Sequence, residues 1–231
     1  MLNSDTMTLL ENNFNTKSNN VVDRLSPDKC TGCAACFNSC PINAITMQMD
    51  NKGFYIPVID EKKCINCGKC VLTCPVINPK YENESEPECY AVCASDKLRE
   101  YSSSGGAFGV FAGKILEEDG IVCGAAIDDD NIHVFHKCIS NENELVELQK
   151  SKYVQSDIGS VYKEIKQYLI KGKKVLFSGC PCQVAGLKNF LGMEYENLIT
   201  IDLICHGTPS QKVLRKYIES SEKRLGKIKK I

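Results

Sequence analysis

Cys30-Thr31-Gly32-Cys33-Ala34-Ala35-Cys36-Phe37-Asn38-Ser39-Cys40-Pro41 is followed by Cys64-Ile65-Asn66-Cys67-Gly68-Lys69-Cys70-Val71-Leu72-Thr73-Cys74-Pro75, and each cysteine of the second stretch lies 34 residues after its counterpart. The repeated pattern is Cys-x2-Cys-x2-Cys-x3-Cys-Pro. The x2 spacings wrap a tight loop that aims three sulfurs at three irons of one cube, while the fourth cysteine, ahead of proline, projects toward the other cube. The spacing therefore assigns Cys30, Cys33, Cys36 and Cys74 to one 4Fe-4S cluster and Cys64, Cys67, Cys70 and Cys40 to a second. Gly32 and Gly68 sit inside these loops, where a missing side chain lets backbone N–H groups approach sulfur. A structural zinc site would instead use two separated Cys-x2-Cys pairs.

Residues 26–76 resemble bacterial-type dicluster ferredoxins across this repeat, which implies an α+β module that moves single electrons. The rest of the composition narrows the setting. Against 28 Lys+Arg stand 29 Asp+Glu, a net charge of −1, and binding a nucleic acid or an anionic membrane needs a clustered basic surplus. Fifteen cysteines among 231 residues far exceed ordinary usage and point to metal ligation in a reducing compartment. No apolar run reaches the ~18 residues of a spanning helix, and the N-terminus has no secretory signal, so the expected location is cytoplasmic.

Residues 1–25 read as a flexible extension, with a weak helical signal at 7–11, and residues 77–88, acidic and proline-punctuated, as a linker. Between 89 and 210 strand and helix patterns alternate. Strands are expected at 90–94, 121–127, 132–138, 174–177 and 198–205, with helices at 107–118, 161–171 and 182–191. Continuous apolar strands between helices predict an α/β domain with a mostly parallel sheet covered on both faces. A Lys-rich helical stretch, 211–231, reads as the start of a truncated C-terminal part and a solvated face.

Several residues in this domain could carry chemistry. Ser103, Ser104, Gly105 and Gly106 form a loop entering a helix, where free N–H groups can meet an anion such as a cofactor pyrophosphate, although a plain capping loop reads equally well. Cys180, Cys182 and Cys205 follow strands and are either a third cluster, completed by Cys89 or Cys93, or buried, site-lining thiols. His206 is a candidate proton donor or a packing residue, Cys123 reads as core, and His133 and His136 read as structural.

The Ser/Gly loop, Ser151-Lys152-Tyr153-Val154-Gln155-Ser156, Leu176-Phe177-Ser178-Gly179-Cys180-Pro181-Cys182-Gln183-Val184-Ala185-Gly186-Leu187 and Asp202-Leu203-Ile204-Cys205-His206-Gly207-Thr208-Pro209-Ser210 together resemble the beta-subunit family of coenzyme F420 hydrogenases and dehydrogenases, over residues 89–217. The resemblance implies FAD held by Ser103, Ser104, Gly105, Gly106, Ser178, Gly179, Cys182 and Gln183. It also implies His206 at the reacting end, and exchange with a hydride carrier such as deazaflavin coenzyme F420. Two departures stand out: residue 180 is Cys where the family usually has Thr, and most of the family's C-terminal domain is missing. Two readings follow, a flavin-dependent oxidoreductase subunit in a hetero-oligomer with an electron donor or acceptor protein, and a ferredoxin-type module without catalysis of its own.

Overall fold

The computed structural model describes residues 18–80, 85–128 and 133–227. Its N-terminal part is built twice over. Helix α1 (Val21–Arg24), capped by the Asn20 side chain, precedes α2 (Ala35–Ser39), the antiparallel hairpin of β1 (Ile45–Met49) and β2 (Tyr55–Ile59), and α3 (Lys69–Thr73). The 34-residue repeat is visible in the backbone: Ala34 and Gly68 both start a helix in the left-handed region, and Gly32 and Asn66 share positive φ two residues earlier. Ser39 and Thr73, equivalent positions at the ends of α2 and α3, meet at 3.0 Å across the pseudo-dyad.

The second part follows after α4 (Asp96–Arg99). Helix α5 (Ala107–Glu117), β3 (Ile121–Ile127), β4 (Val134–Ile139), α6 (Leu145–Leu148), α7 (Val161–Ile170), β5 (Val175–Gly179), α8 (Pro181–Leu191), β6 (Leu198–Asp202) and α9 (Gln211–Leu225) come in that order. The sheet order is β4-β3-β5-β6, with β3, β5 and β6 parallel and β4 antiparallel at one edge. Side chains alternate across it as the pleat requires. Val122, Ala126 and Leu176 face α5 and α6, while Ile121, Cys123, Val175 and Phe177 face α7 and α8.

The second face also buries Cys33, Ala34 and Ala35, so the ferredoxin-like part shares a core with the α/β domain. Two buried or half-buried amides fasten the seam. Asn38 Nδ2 donates to the Gly159 carbonyl at 2.9 Å, and Gln155 Oε1 accepts from the Tyr55 N–H at 2.8 Å.

Some expectations change. Residues 90–94 are not a strand: Tyr90 and Val92 are exposed, and the segment's hydrogen bond is Ala94 N–H to the Gly105 carbonyl at 2.7 Å. The strand expected at 198–205 ends at Asp202, because its partner β5 ends at Gly179. Residues 18–25 are not a loose extension, since Val21 is buried against Cys36, Cys70 and Cys74. The linker begins tied down, with Asn189 Nδ2 on the Asn78 carbonyl at 3.0 Å. The helical signal at 7–11 lies outside the described residues. Cys123 is core, as expected, and is also disulfide-bonded to Cys138, its direct cross-strand partner. Among the described residues, no helix is long and apolar enough to cross a membrane.

Candidate functional site

Two thiol-lined cavities dominate the ferredoxin-like part. One is lined by Cys30, Cys33, Cys36 and Cys74, with Thr31, Val21, Leu25, Met47 and Pro57 around them. The other is lined by Cys40, Cys64, Cys67 and Cys70, with Ile45, Ile59, Asn66 and Gly68. The helices explain the exchange of the fourth cysteine. Each short helix begins just after the first two cysteines of its motif and carries the fourth past its far end, toward the neighbouring cavity.

These residues fit a pair of cubanes. The thiols surround a volume, and among the described residues no three His, Cys, Asp or Glu converge as a single ion needs. Backbone N–H groups point at sulfur: Ala44 to Cys40 at 3.2 Å, Gly32 to Cys30, Ala35 to Cys33, Phe37 to Cys36 and Val71 to Cys70. Such donors stabilise negative sulfur, the form that binds iron. Burial works against that form, pushing the Cys33 thiol up to about 12 and raising Cys30, Cys36 and Cys70. Bound iron, being cationic, would reverse this preference and displace the thiol protons.

The first cavity faces the α/β domain. Gly186 of α8 sits so close that a Cβ there would lie 3.1 Å from Cys33 Sγ and 3.3 Å from the Tyr162 hydroxyl. Tyr162 is fully buried and donates to the Gln183 carbonyl at 2.8 Å. Burial, with the neighbouring Cys33 and Cys182 sulfurs, raises its phenol well above the usual range. The Thr31 hydroxyl lies near Cys33 and Cys182 and favours the thiolate form of each. The second cavity faces outward, with Cys67 and Ile65 exposed.

The N-terminus of α5 and the C-terminal ends of β5 and β6 share one end of the sheet, which gathers the residues expected to hold a flavin. Their contacts are internal, however. Ser103 Oγ accepts from the Ser151 N–H at 2.9 Å. A Cβ at Gly105 would lie 2.7 Å from the Val92 carbonyl, and one at Gly106 2.9 Å from Ala94 Cβ, so these glycines admit the chain's own 92–94 segment. The Ser178 carbonyl accepts from His136 Nε2 at 3.1 Å. Gln183 bonds the Cys180 N–H at 2.9 Å and Ser156 at 3.0 Å, and its Oε1 fills the space beside Gly179. Cys182 faces Thr31, and Ser104 and His206 are exposed.

Cys180, Cys182 and Cys205 do come together. The Cys180 thiol is held up to about 12 by burial and by the adjacent Cys205 and Cys182 sulfurs. Cys89 and Cys93 are exposed, their thiols on the carbonyls of Pro87 and Ala94. Sequence reasoning missed Thr31, Asn38, Gln155 and Tyr162, whose roles depend on partners distant in the chain. It also missed the Cys123–Cys138 bond, which an antiparallel register for 121–127 and 134–139 would have revealed.

Fold and cavities define a dicluster iron–sulfur protein whose ferredoxin-like part is docked on an α/β sheet. Residues 29–78 match the family described as 4Fe-4S dicluster domain. Residues 172–231, from the approach to β5 through α9, match the family described as the C terminus of the coenzyme F420 hydrogenase/dehydrogenase beta subunit. No curated protein gives a match to the chain. The chain is therefore an iron–sulfur electron-transfer module related to those beta subunits.

Proposed function

We propose that this chain is the electron-relay subunit of a larger oxidoreductase, with one cubane on Cys30, Cys33, Cys36 and Cys74 and the other on Cys64, Cys67, Cys70 and Cys40. The observation that carries this reading is the crossed composition of the two cavities, three thiols from one motif and the fourth from the other. When bound, each cubane supplies a one-electron step. The protein's own residues give the relay a direction. Cys67 and Ile65 expose the second cavity to a partner protein, and Thr31, Tyr162 and Gly186 press the first against the α/β domain. The description "beta subunit" of the matched family supports a hetero-oligomer in which another chain binds substrate.

A second reading is supported by the match over residues 172–231: a flavin, with a hydride carrier such as coenzyme F420, at the end of the sheet. Binding there would require the Ser103, Gly105, Gly106 and Gln183 contacts to open. Absorption spectra with iron, sulfide and flavin analysis of anaerobically purified protein separate the readings. The relay reading expects about eight irons and eight sulfides without flavin bands. About four irons would overturn the two-cubane assignment, and stoichiometric flavin would favour the second reading.

A further inference from the structure

Beyond the cubanes, a second redox group is built from thiols alone. We propose that Cys180 and Cys205 are a redox-active dithiol/disulfide pair that exchanges electrons with the iron–sulfur site of Cys30, Cys33, Cys36 and Cys74. The proposal rests on the ligand assignment above.

The topology creates the pair. Strands β5 and β6 are parallel neighbours, paired at Gly179 and Asp202, so the chain leaves both at the same end. Cys180 is the first residue beyond β5 and the N-cap of α8, and Cys205 lies three residues beyond β6. The paired strand ends bring the two side chains to one side of the sheet, and the Cys205 sulfur is near enough to help raise the Cys180 thiol. Cys205 is exposed and its Sγ accepts from the Gly207 N–H at 3.4 Å, whereas Cys180 is half-buried. Cys182, half-buried like Cys180, sits in the first turn of α8, the helix that approaches Cys33 Sγ through Gly186, where a Cβ would lie 3.1 Å from it. A line of sulfur therefore runs from solvent at Cys205, through Cys180 and Cys182, to a ligand of the inner cavity. The three thiols also do not converge as a single metal ion needs. One end of this line can meet a thiol or disulfide from solution, and the other can meet single electrons.

The chemistry balances. Reducing the Cys180–Cys205 disulfide breaks one S–S bond with two electrons and two protons and leaves two thiols. The electrons arrive singly through the two iron–sulfur sites, each filled by a low-potential one-electron donor, and the protons come from solvent on the Cys205 side. In the reverse direction the dithiol returns two electrons as the S–S bond forms.

The test uses the full chain carrying both clusters under anaerobic conditions. Diamide, a two-electron oxidant of dithiols, is added at one equivalent, and the protein is alkylated in acid and digested with trypsin. The expected product is a cross-linked pair of peptides, residues 175–188 with 189–212, whose fragmentation across Pro181 places the bond on Cys180. Reduced methyl viologen should then convert the pair to two alkylated peptides. A Cys30→Ser protein should lose that reduction down to its direct, cluster-independent rate. Cys180→Ser and Cys205→Ser should each abolish the cross-link with iron content unchanged, which keeps the test valid where the Cys30 variant fails to fold. Absence of the cross-link in fully loaded protein overturns the proposal, as does an undiminished viologen rate in folded Cys30→Ser. So does about twelve irons falling to about eight in Cys205→Ser, the signature of a third cluster. Iron missing from the cavity of Cys30, Cys33, Cys36 and Cys74 would instead defeat the ligand assignment.

Discussion

His136, on β4, is buried with its ring stacked on Phe177, Nε2 donating to the Ser178 carbonyl and Nδ1 lacking a partner among the described residues. Burial lowers its pKa from 6.5 to about 4, so the folded protein holds it neutral. Between those values the unfolded chain binds the extra proton, so this residue's contribution to stability is complete above pH 6.5 and is lost as pH falls toward 4. The full loss is of the order of 3 kcal/mol. We expect His136→Gln, which can still donate to Ser178, to flatten the acid dependence of the urea midpoint relative to the parent; an unchanged slope would contradict this. Gly106 gives a second residue-level test. At φ +84 and with Ala94 against its Cβ position, it must be glycine for packing. Gly106→Val should cost at least about 2 kcal/mol in urea unfolding. The eight cavity cysteines were legible in the sequence because ligand spacing encodes its own geometry within a dozen residues. The role of Gly106 was not, because its neighbour is the backbone of a separate segment that no local pattern marks.

At the scale of elements, α2 and α3 act as spacers that deliver Cys40 and Cys74 across the pseudo-dyad. Cys40→Ala should therefore damage the cluster site of Cys64, Cys67 and Cys70 and spare that of Cys30, Cys33 and Cys36. Electron paramagnetic resonance of the reduced protein, where two nearby cubanes interact magnetically, would show one isolated signal. Protection of Cys30, Cys33 and Cys36 from alkylation identifies the survivor, and selective loss of that set would sink the crossed assignment. Helix α8 approaches this surviving site through Gly186, so Gly186→Ala, with its Cβ 3.1 Å from Cys33 Sγ, should lower iron content toward half. Most of these elements were legible from apolar periodicity. Residues 90–94 were the exception, an apolar run that pairs through one hydrogen bond and leaves Tyr90 and Val92 exposed, since alternation reports burial only where a sheet is there to receive it.

Over the whole molecule, the two parts share a core that the linker-like composition of 77–88 gave no sign of. The ferredoxin-like part returns to the α/β domain through Cys33, Ala34 and Ala35, buried in the same core as Tyr162, Phe177 and Leu187. Two parts that share a core lose it together, so unfolding should be one cooperative transition. Gln155 is the lever for testing this. Its carboxamide accepts from Tyr55 in the hairpin and donates to the Thr31 carbonyl at 3.5 Å, its main chain bonds Pro209 and Gln211 near α9, and its own side chain does not line either thiol cavity. Gln155→Ala leaves the Tyr55 N–H without its partner, a loss of about 1–3 kcal/mol where the group stays buried. With one shared core, iron–sulfur absorbance and far-ultraviolet circular dichroism should lose signal at the same urea concentration in the parent. Both midpoints should then shift down together in Gln155→Ala. A cluster signal that persists after the helical signal has gone would mean that the dicluster part folds on its own and that the seam at Asn38 and Gln155 is only a contact between finished domains.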